Sequence, residues 1–81
     1  MKKIMYFSAP WCQPCQSFGP VMDQVASVIP VIKVNVDYET DLAARANVRS
    51  VPTVILVEGE TEVRRFVGAR SLNDVMNFIN S

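Results

Sequence analysis

The sequence predicts an α/β fold in which a four-stranded mixed sheet carries three helices on its two faces, in the order β-α-β-α-β-β-α. Three observations predict it. Apolar runs rich in β-branched residues alternate with segments whose apolar residues recur every three or four positions. A tight turn around Gly59 joins two of the runs into a hairpin. The 81 residues contain no linker, repeat or low-complexity stretch, so residues 1–81 are expected to form a single domain.

The first half of the chain begins with a strand and a helix. Residues 4–7 are an apolar run that ends before Pro10, which indicates a buried strand followed by a loop. A helix is expected from the cysteine pair to Pro30, with Pro14 in its first turn and a kink at Pro20. Its apolar stripe comprises Phe18, Val21, Met22, Val25, Val28 and Ile29.

A second strand and a short helix are expected next. Residues 31–36 are rich in β-branched side chains, which are typical of a strand. Residues 37–47 fit a loop with a short helix, for which Thr40 or Asp37 is the expected N-cap and Asn47 the left-handed stop. Because helices intervene between the first three strands, right-handed crossovers and parallel pairing are expected among them.

The last part of the chain is predicted to contain a hairpin and a third helix. Residues 53–57 form an unbroken apolar run of the kind that is buried on both faces, and residues 61–67 form its hairpin partner. Ser71 and Asp74 resemble a capping box in which Asp replaces Glu, so a helix should begin there. Its inner stripe comprises Leu72, Val75, Met76 and Ile79.

The charge balance argues against two common classes of partner. Lys plus Arg and Asp plus Glu number eight each, so no excess of positive charge draws the protein to nucleic acid or to an anionic membrane. The apolar run at the N-terminus stops short of a signal-peptide core, and no stretch approaches the ~20 apolar residues that span a bilayer. A cytoplasmic protein is therefore expected, in which a cysteine pair is more often catalytic or metal-binding than structural.

The two cysteines of the chain, Cys12 and Cys15, stand where the first helix is expected to begin. The free N–H groups and the positive dipole end of a helix N-terminus stabilise an anion, and they lower the pKa of a Cys-X-X-Cys thiol from ~8.5 to about 7 or below. Cys12, expected to be exposed behind Pro10 and Trp11, is therefore the predicted nucleophile. Cys15 lies one turn further and should face inward. It would close a disulfide after Cys12 has attacked the disulfide of a partner.

Other interpretations of the cysteine pair have less support from the sequence. A zinc site needs about four ligands, and the chain supplies two cysteines and no histidine, unless two chains share an ion. A purely structural disulfide across so short a loop restricts the unfolded chain little. Inert core thiols would be expected within a strand rather than at a helix start. Hydrolysis of the Cys/His type has no imidazole to use. Neither a metal nor an organic cofactor is expected.

Several motifs together resemble those of the thioredoxin family, over residues 3–80. They are Trp11-Cys12-Gln13-Pro14-Cys15, Pro20, Val51-Pro52-Thr53 and Val67-Gly68-Ala69. The resemblance implies that Pro52 is cis and faces the disulfide, that the backbone of Val51 pairs with a substrate segment, and that Gly68 leaves room for it. It also implies an apolar substrate-binding surface made of Trp11, Gln13, Pro14, Val51, Pro52, Gly68 and Ala69.

The chain departs from the family in several ways. It lacks the usual first strand and helix, which implies a minimal thioredoxin fold of glutaredoxin-like length. Tyr6 stands where the family carries a buried acid, and a phenol cannot accept a proton near pH 7. Lys33 loses that partner and is expected to be solvated, and water is the expected proton carrier for Cys15. Gln13 and Ser8 replace a usual glycine and a usual aromatic residue.

The resemblance implies a monomeric thiol–disulfide oxidoreductase that reduces protein disulfides through Cys12 and Cys15 and is recharged by a thioredoxin reductase or a similar donor. Ribonucleotide reductase is a candidate partner. Because proline rather than histidine precedes Cys15, the reduction potential should lie nearer about −270 mV than about −120 mV. One alternative is a glutathione-linked, glutaredoxin-like reductase, against which Trp11 and Pro14 count. The other is a thioredoxin-like binding subunit of a larger enzyme, in which the thiols are incidental.

Overall fold

The computed structural model describes all 81 residues and has the predicted order of elements. The elements are β1 (Lys2–Ser8), α1 (Gln13–Val25), β2 (Val31–Asn35), α2 (Thr40–Arg45), β3 (Thr53–Glu58), β4 (Thr61–Val67) and α3 (Leu72–Asn80). The four strands form one mixed sheet, as predicted, and their order in it is β2-β1-β3-β4. None of the three helices is long and apolar enough to cross a membrane.

β1 lies inside the sheet and pairs differently on its two sides. It runs parallel to β2, with Ile4 opposite Val31, and antiparallel to β3, with Phe7 opposite Thr53. The expected parallel pairing of the first three strands is therefore wrong for β3. The six residues of α2 extend only about 9 Å along the helix axis. This is too short to carry the chain back along the sheet, so β3 starts at the edge where β2 ends.

Each face of the sheet carries a hydrophobic cluster. α1 and α3 cover one face, where twelve buried residues pack together. Within this cluster the ring of Phe18 meets those of Tyr6 and Phe66 edge-on, with centroids 5.7 and 6.2 Å apart. α2 covers the other face, over a smaller cluster of Phe7, Val34, Ala43 and Ile55. The expected burial of β3 on both faces is confirmed, because the buried residues include Val54, Ile55 and Leu56.

α1 is shorter than predicted. It ends at Val25 and not at Pro30, and Val28, which was assigned to the apolar stripe, is 62% exposed. Ser27 accounts for this ending, because its backbone N–H and its hydroxyl both donate to the carbonyl of Gln24, at 3.2 and 2.7 Å. These local bonds replace the i to i−4 pattern of the helix. The stripe residues that are buried are Phe18, Met22, Val25 and Ile29.

α2 begins differently from the prediction but ends as predicted. Its N-cap is Glu39, which makes no side-chain hydrogen bond, so neither Thr40 nor Asp37 caps this helix. Asn47, two residues past the end of α2, has the left-handed φ of 57° expected of a helix stop.

α3 begins after the predicted cap. The hydroxyl of Ser71 accepts the backbone N–H of Asp74 at 3.2 Å, which satisfies one of the free donors of the first turn. Val75 and Ile79 of the predicted stripe are buried, and Leu72 and Met76 pack partly buried against the same cluster. The sequence stripe missed Phe78, which is buried beside them.

Candidate active site

The cysteine pair lies where β1 ends and α1 begins. Cys12 is the N-cap of α1, and Pro14 follows in the first turn, where its missing N–H is not needed. Cys12 and Cys15 form a disulfide with 5.3 Å between their Cα atoms. The Sγ of Cys12 also accepts the backbone N–H of Cys15 at 3.2 Å, a bond that would stabilise a thiolate at this atom. No acidic residue in the first turn offsets the positive end of the helix.

The disulfide is less exposed than predicted. Cys12 is 4% and Cys15 is 6% exposed, and the two form a small buried cluster with Ala9. Val36, just after β2, and Val51, just before β3, pack against this cluster. The expected exposure of Cys12 is therefore wrong, because segments from three neighbouring strands meet at one edge of the sheet and enclose the sulfur atoms.

Trp11 is held beside the disulfide by Asp37, a residue that sequence analysis missed as part of the site. The Trp11 side chain is 68% exposed, and its indole N–H donates to both carboxylate oxygens of Asp37, at 3.1 and 3.2 Å. The backbone N–H of Asp37 in turn donates to Oδ1 of Asn35 at 2.8 Å. Topology could have revealed Asp37, because residues that follow two parallel neighbouring strands lie at the same edge of the sheet.

The cis bond predicted before Pro52 is present. Pro52 is fully buried, and its carbonyl accepts the backbone N–H of Gly68 at 2.8 Å. The segments before β3 and after β4 therefore lie side by side at the edge that carries the disulfide. Gly68 has a φ of +97°, which favours glycine, and a Cβ at this position would meet no atom within 4 Å. Open space therefore adjoins Gly68, as the resemblance implies.

The predicted substrate-binding residues differ in exposure. Four of them are exposed, namely Trp11, Gln13, Pro14 and Ala69. Val51 and Gly68 are half-buried, and Pro52 is buried. The structure packs Val51 against the cluster of the two cysteines and joins Gly68 to Pro52 through the backbone, while Trp11 directly precedes Cys12 in the chain. Their roles toward a substrate stay a prediction.

An open hollow of about 390 Å³ reaches Cys15 from the side of Tyr6. Polar side chains of Ser8, Lys33 and Asn35 also line it. The buried Tyr6 hydroxyl donates a long hydrogen bond of 3.5 Å to the carbonyl of Cys15. Burial raises the pKa of Tyr6 above its ordinary value of 10.0, and a hydrogen bond with Ser8 only partly offsets this. Tyr6 is therefore neutral at pH 7 and cannot accept the proton of Cys15.

Lys33 is exposed, as predicted, but it has a partner. Its Nζ lies 2.7 Å from Oδ1 of Asp23 on α1, and both side chains are more than half exposed. The pair therefore joins β2 to α1 at the surface and leaves no free carboxylate in the hollow. No group of three or more histidine, cysteine or acidic side chains is placed to hold a metal ion.

The site can perform thiol–disulfide exchange, because its disulfide joins two cysteines at a helix N-terminus, where the thiolate released on reduction is stabilised. By fold and site the protein is a thiol–disulfide oxidoreductase. A family model described as thioredoxin matches residues 1–81. The chain belongs to the thioredoxin family.

Relatives agree with this assignment over most of the chain. A thioredoxin of Haemophilus influenzae is 37% identical over 81 residues, covering 95% of this chain and 76% of the relative. Thioredoxin 1 of a Nostoc species is 40% identical over 70 residues, covering 82% of this chain and 65% of the relative. A Mycobacterium leprae protein named bifunctional thioredoxin reductase/thioredoxin is 38% identical over 88 aligned positions, covering 95% of this chain and 19% of the relative. The protein is accordingly a protein-disulfide oxidoreductase.

Solved structures confirm the predicted thioredoxin fold. A mutant thioredoxin from Halobacterium salinarum superposes with a TM-score of 0.92 at 32% identity, covering 98% of this chain and 72% of that one. Thioredoxin-2 of a malaria parasite superposes with a TM-score of 0.92 at 32% identity, covering 99% of this chain and 82% of that one. Neither the glutaredoxin-like alternative nor the binding-subunit alternative is favoured by these similarities.

Proposed function

We propose that Cys12 is the attacking thiol and Cys15 the resolving thiol in the reduction of protein disulfides. The observation that carries this assignment is the position of Cys12 as the N-cap of α1, with its Sγ bonded to the N–H of Cys15. Backbone donors at this position stabilise the thiolate, which is the species that attacks. Cys15 lies within the first turn of α1, and its backbone N–H donates to Sγ of Cys12.

The exchange has two steps. The Cys12 thiolate attacks one sulfur of the substrate disulfide, so that a Cys12–substrate disulfide forms and the other substrate sulfur leaves as a thiolate. The Cys15 thiolate then attacks Sγ of Cys12, forms the Cys12–Cys15 disulfide and releases the second substrate thiolate. Two electrons pass to the substrate, and its two thiolates take up two protons. The reaction needs no metal and no organic cofactor.

The proton of Cys15 must leave before the second step, and we assign its removal to water in the hollow. The hollow reaches Cys15 and is lined by the polar side chains of Ser8, Lys33 and Asn35. The hydroxyl of Tyr6 donates to the carbonyl of this cysteine, but Tyr6 stays neutral at pH 7 because burial raises its pKa. Water is therefore the acceptor that the surroundings favour.

The substrate-binding surface is proposed to consist of Trp11, Gln13, Pro14, Val51, Pro52, Gly68 and Ala69. An extended segment of the substrate would pair with the backbone of Val51, while the open space beside Gly68 admits its neighbouring residues. Pro52 is buried and so contributes by shaping the Val51 segment rather than through its side chain.

The physiological setting is proposed from the relatives and the composition. A thioredoxin reductase is the expected electron donor, since the Mycobacterium leprae relative carries both activities in its name. Ribonucleotide reductase is a candidate among the disulfide substrates. We propose that residues 1–81 act as one domain and as a monomer in the cytoplasm, with a reduction potential nearer to about −270 mV than to about −120 mV.

Insulin reduction tests the proposed roles with a matched pair of substitutions. Cys12→Ser is expected to abolish both insulin reduction and the formation of mixed disulfides. Cys15→Ser should also stop turnover, but a covalent insulin–protein adduct should accumulate because the resolving step is lost. Unchanged turnover in Cys12→Ser would refute the assignment, and an adduct in Cys12→Ser instead of Cys15→Ser would reverse the two roles.

A further inference from the structure

Two arginines without an acidic partner flank the segments that meet beside the disulfide. Arg49 lies two residues before Val51, Arg70 lies two residues after Gly68, and both side chains are exposed. The protein has two ion pairs, Lys33 with Asp23 and Arg65 with Glu62, and neither involves Arg49 or Arg70. Both guanidinium charges are therefore available to a bound molecule.

The fold brings the two arginine-bearing segments to the same edge of the sheet. Thr53 and Val67 are paired in the ladder of β3 and β4, and the N–H of Gly68 donates to the carbonyl of Pro52 at 2.8 Å. Arg49 precedes this contact on the segment that comes from α2, while Arg70 follows it on the segment that enters α3. Because α2 and α3 cover opposite faces of the sheet, the two segments that carry the arginines approach this contact from opposite faces.

Arg70 is oriented without being neutralised. Its guanidinium carbon lies 4.2 Å from the centroid of the Phe66 ring, which itself is packed in the core. Stacking on an aromatic face restricts the side chain and leaves its N–H donors and its charge unpaired. A guanidinium held in this way loses less conformational freedom when it binds a carboxylate.

Acidic side chains also occur at this edge, next to Trp11, in the segment after β2 and at the start of α2. Asp37 already binds the indole of Trp11, and the exposed Glu39 and Asp41 follow it in the chain. The surface around the disulfide is therefore positive beside Val51 and Gly68 and negative beyond Trp11. A bound segment experiences this local difference although the net charge of the protein is zero.

We infer that the protein favours disulfide substrates that carry acidic side chains beside the target cysteine, on the part of the segment bound between Arg49 and Arg70. This preference rests on the proposed reduction of protein disulfides and adds the class of substrate segment to it. The two carboxylate–guanidinium contacts are exposed, so together they should change the rate constant by about 3- to 20-fold at low salt.

The test uses three disulfide peptides that differ only in the residues next to the cysteine, which are Glu, Gln or Lys. The second-order rate constant for each peptide is measured with pre-reduced protein, so that no reductase is needed. The rates should fall in the order Glu, Gln, Lys. The differences should shrink as the salt concentration is raised from about 0.01 M to about 1 M, because the Debye length then falls from about 30 Å to about 3 Å.

Substitutions test whether Arg49 and Arg70 cause the preference for the Glu peptide. Arg49→Gln and Arg70→Gln should each slow the Glu peptide and leave the Gln peptide unchanged, whereas Arg70→Lys should keep only part of the preference, because it retains the charge but loses the stacked guanidinium. Lys3→Gln is the matched control, because it removes the same charge near the other end of β1, about 15–20 Å from the disulfide edge.

Each outcome decides the inference. Equal rates for the three peptides, or a Lys3→Gln effect as large as that of the arginine variants, would overturn it while leaving the disulfide reductase activity intact. If the protein reduces neither the Gln peptide nor insulin, the proposed function fails and the preference fails with it.

Discussion

Asp37 fixes the position of the most exposed aromatic residue beside the disulfide. Its carboxylate accepts the indole N–H of Trp11, and its own backbone is anchored to Asn35. Trp11 is therefore presented to a partner in one orientation, although its ring is largely in solvent. The orientation of Trp11 on the substrate-binding surface therefore depends on a carboxylate that need not contact the substrate.

Asp37→Ala should slow insulin reduction by about 2- to 5-fold, because losing one charge-assisted hydrogen bond leaves Trp11 free to adopt other orientations. The free energy of unfolding should change by less than about 0.5 kcal/mol, since both groups are exposed. Initial rates and urea unfolding measure the two effects. Glu60→Ala, in the turn between β3 and β4, is the control and should change neither. Equal losses in both variants would contradict a specific role for Asp37.

Tyr6 should make the protein less stable at high pH. Burial raises its pKa above 10.0, so the folded state favours the neutral phenol. The resulting stabilisation is complete below pH 10 and is lost as the pH rises through the higher pKa of the folded state. Urea unfolding of the oxidised protein between pH 7 and 11 should therefore show a decline that Tyr6→Phe reduces. Tyr38→Phe, at a site 86% exposed, is the control and should keep the decline of the unaltered protein.

At the scale of elements, Arg65 joins β4 to the end of α2. Its Nη2 donates to the carbonyl of Ala46 at 2.7 Å and to Oε1 of Glu62 at 2.6 Å, while Nε donates to Oε2 of Glu62 at 2.7 Å. The carbonyls at the end of a helix lack partners within the helix. Arg65 satisfies one of them from a neighbouring strand and so holds α2 against its face of the sheet.

Arg65→Met should lower the free energy of unfolding by about 1–2 kcal/mol, because it keeps the aliphatic stem and removes the hydrogen bonds. Glu62→Gln should cost less, within about 1 kcal/mol, since this ion pair is partly exposed. The hydrogen bond from Arg65 lowers the pKa of Glu62, so the contribution of this pair is present above pH 4.5 and is lost as the pH falls through the lower folded pKa. Urea unfolding at pH 7 and pH 3 measures both effects. A larger loss for Glu62→Gln than for Arg65→Met would contradict the role of the Ala46 contact.

The sequence predicted the order and type of all seven elements, because strand and helix periodicities differ and each apolar run is short. It did not predict the direction of β3, since the length of α2 decides whether the chain can cross the sheet before pairing. It also placed the end of α1 five residues too late, at Pro30. The bonds from Ser27 to Gln24 end the helix earlier, and they depend on a local geometry that periodicity does not report.

The two cysteines and the cis-proline of the site were predictable for a different reason. The cysteines occur in a motif whose residue types are tied to its chemistry, and the cis bond before Pro52 was implied by the resemblance to the thioredoxin family, whereas Asp37 and the hollow beside Tyr6 are formed by residues distant in sequence. The burial of Cys12 was not predicted for the same reason, because the residues that enclose it are distant in sequence. Val36 and Val51 enclose it, and neither position is adjacent to it along the chain.

At the scale of the whole molecule, a chain of aromatic rings joins the sheet to both helices of the larger cluster. Phe66 on β4 lies between Phe18 of α1 and Phe78 of α3, with ring centroids 6.2 and 4.8 Å away. A chain of 81 residues is stable by only about 4–12 kcal/mol. The burial of a single ring at the centre of this cluster therefore contributes a large share of the free energy of unfolding.

Phe66→Ala should lower the free energy of unfolding by about 3–5 kcal/mol, since it removes a buried ring and its contacts with two others. Val63→Ala on the same strand, where the side chain is exposed, is the control and should cost less than about 0.5 kcal/mol. Thermal and urea unfolding monitored by circular dichroism measure both. Similar losses in the two variants would contradict the central place of Phe66 in the core.

The enclosure of the disulfide by Val51 has a consequence for the newly made chain. Val51 follows Cys15 by 36 residues, which take about 2 to 7 seconds to add at about 5–20 residues per second on the ribosome. During that interval a growing chain carries both thiols but lacks the segment that covers them in the folded protein. The enclosure of the two sulfur atoms can therefore be completed only once the chain has been synthesised beyond Val51.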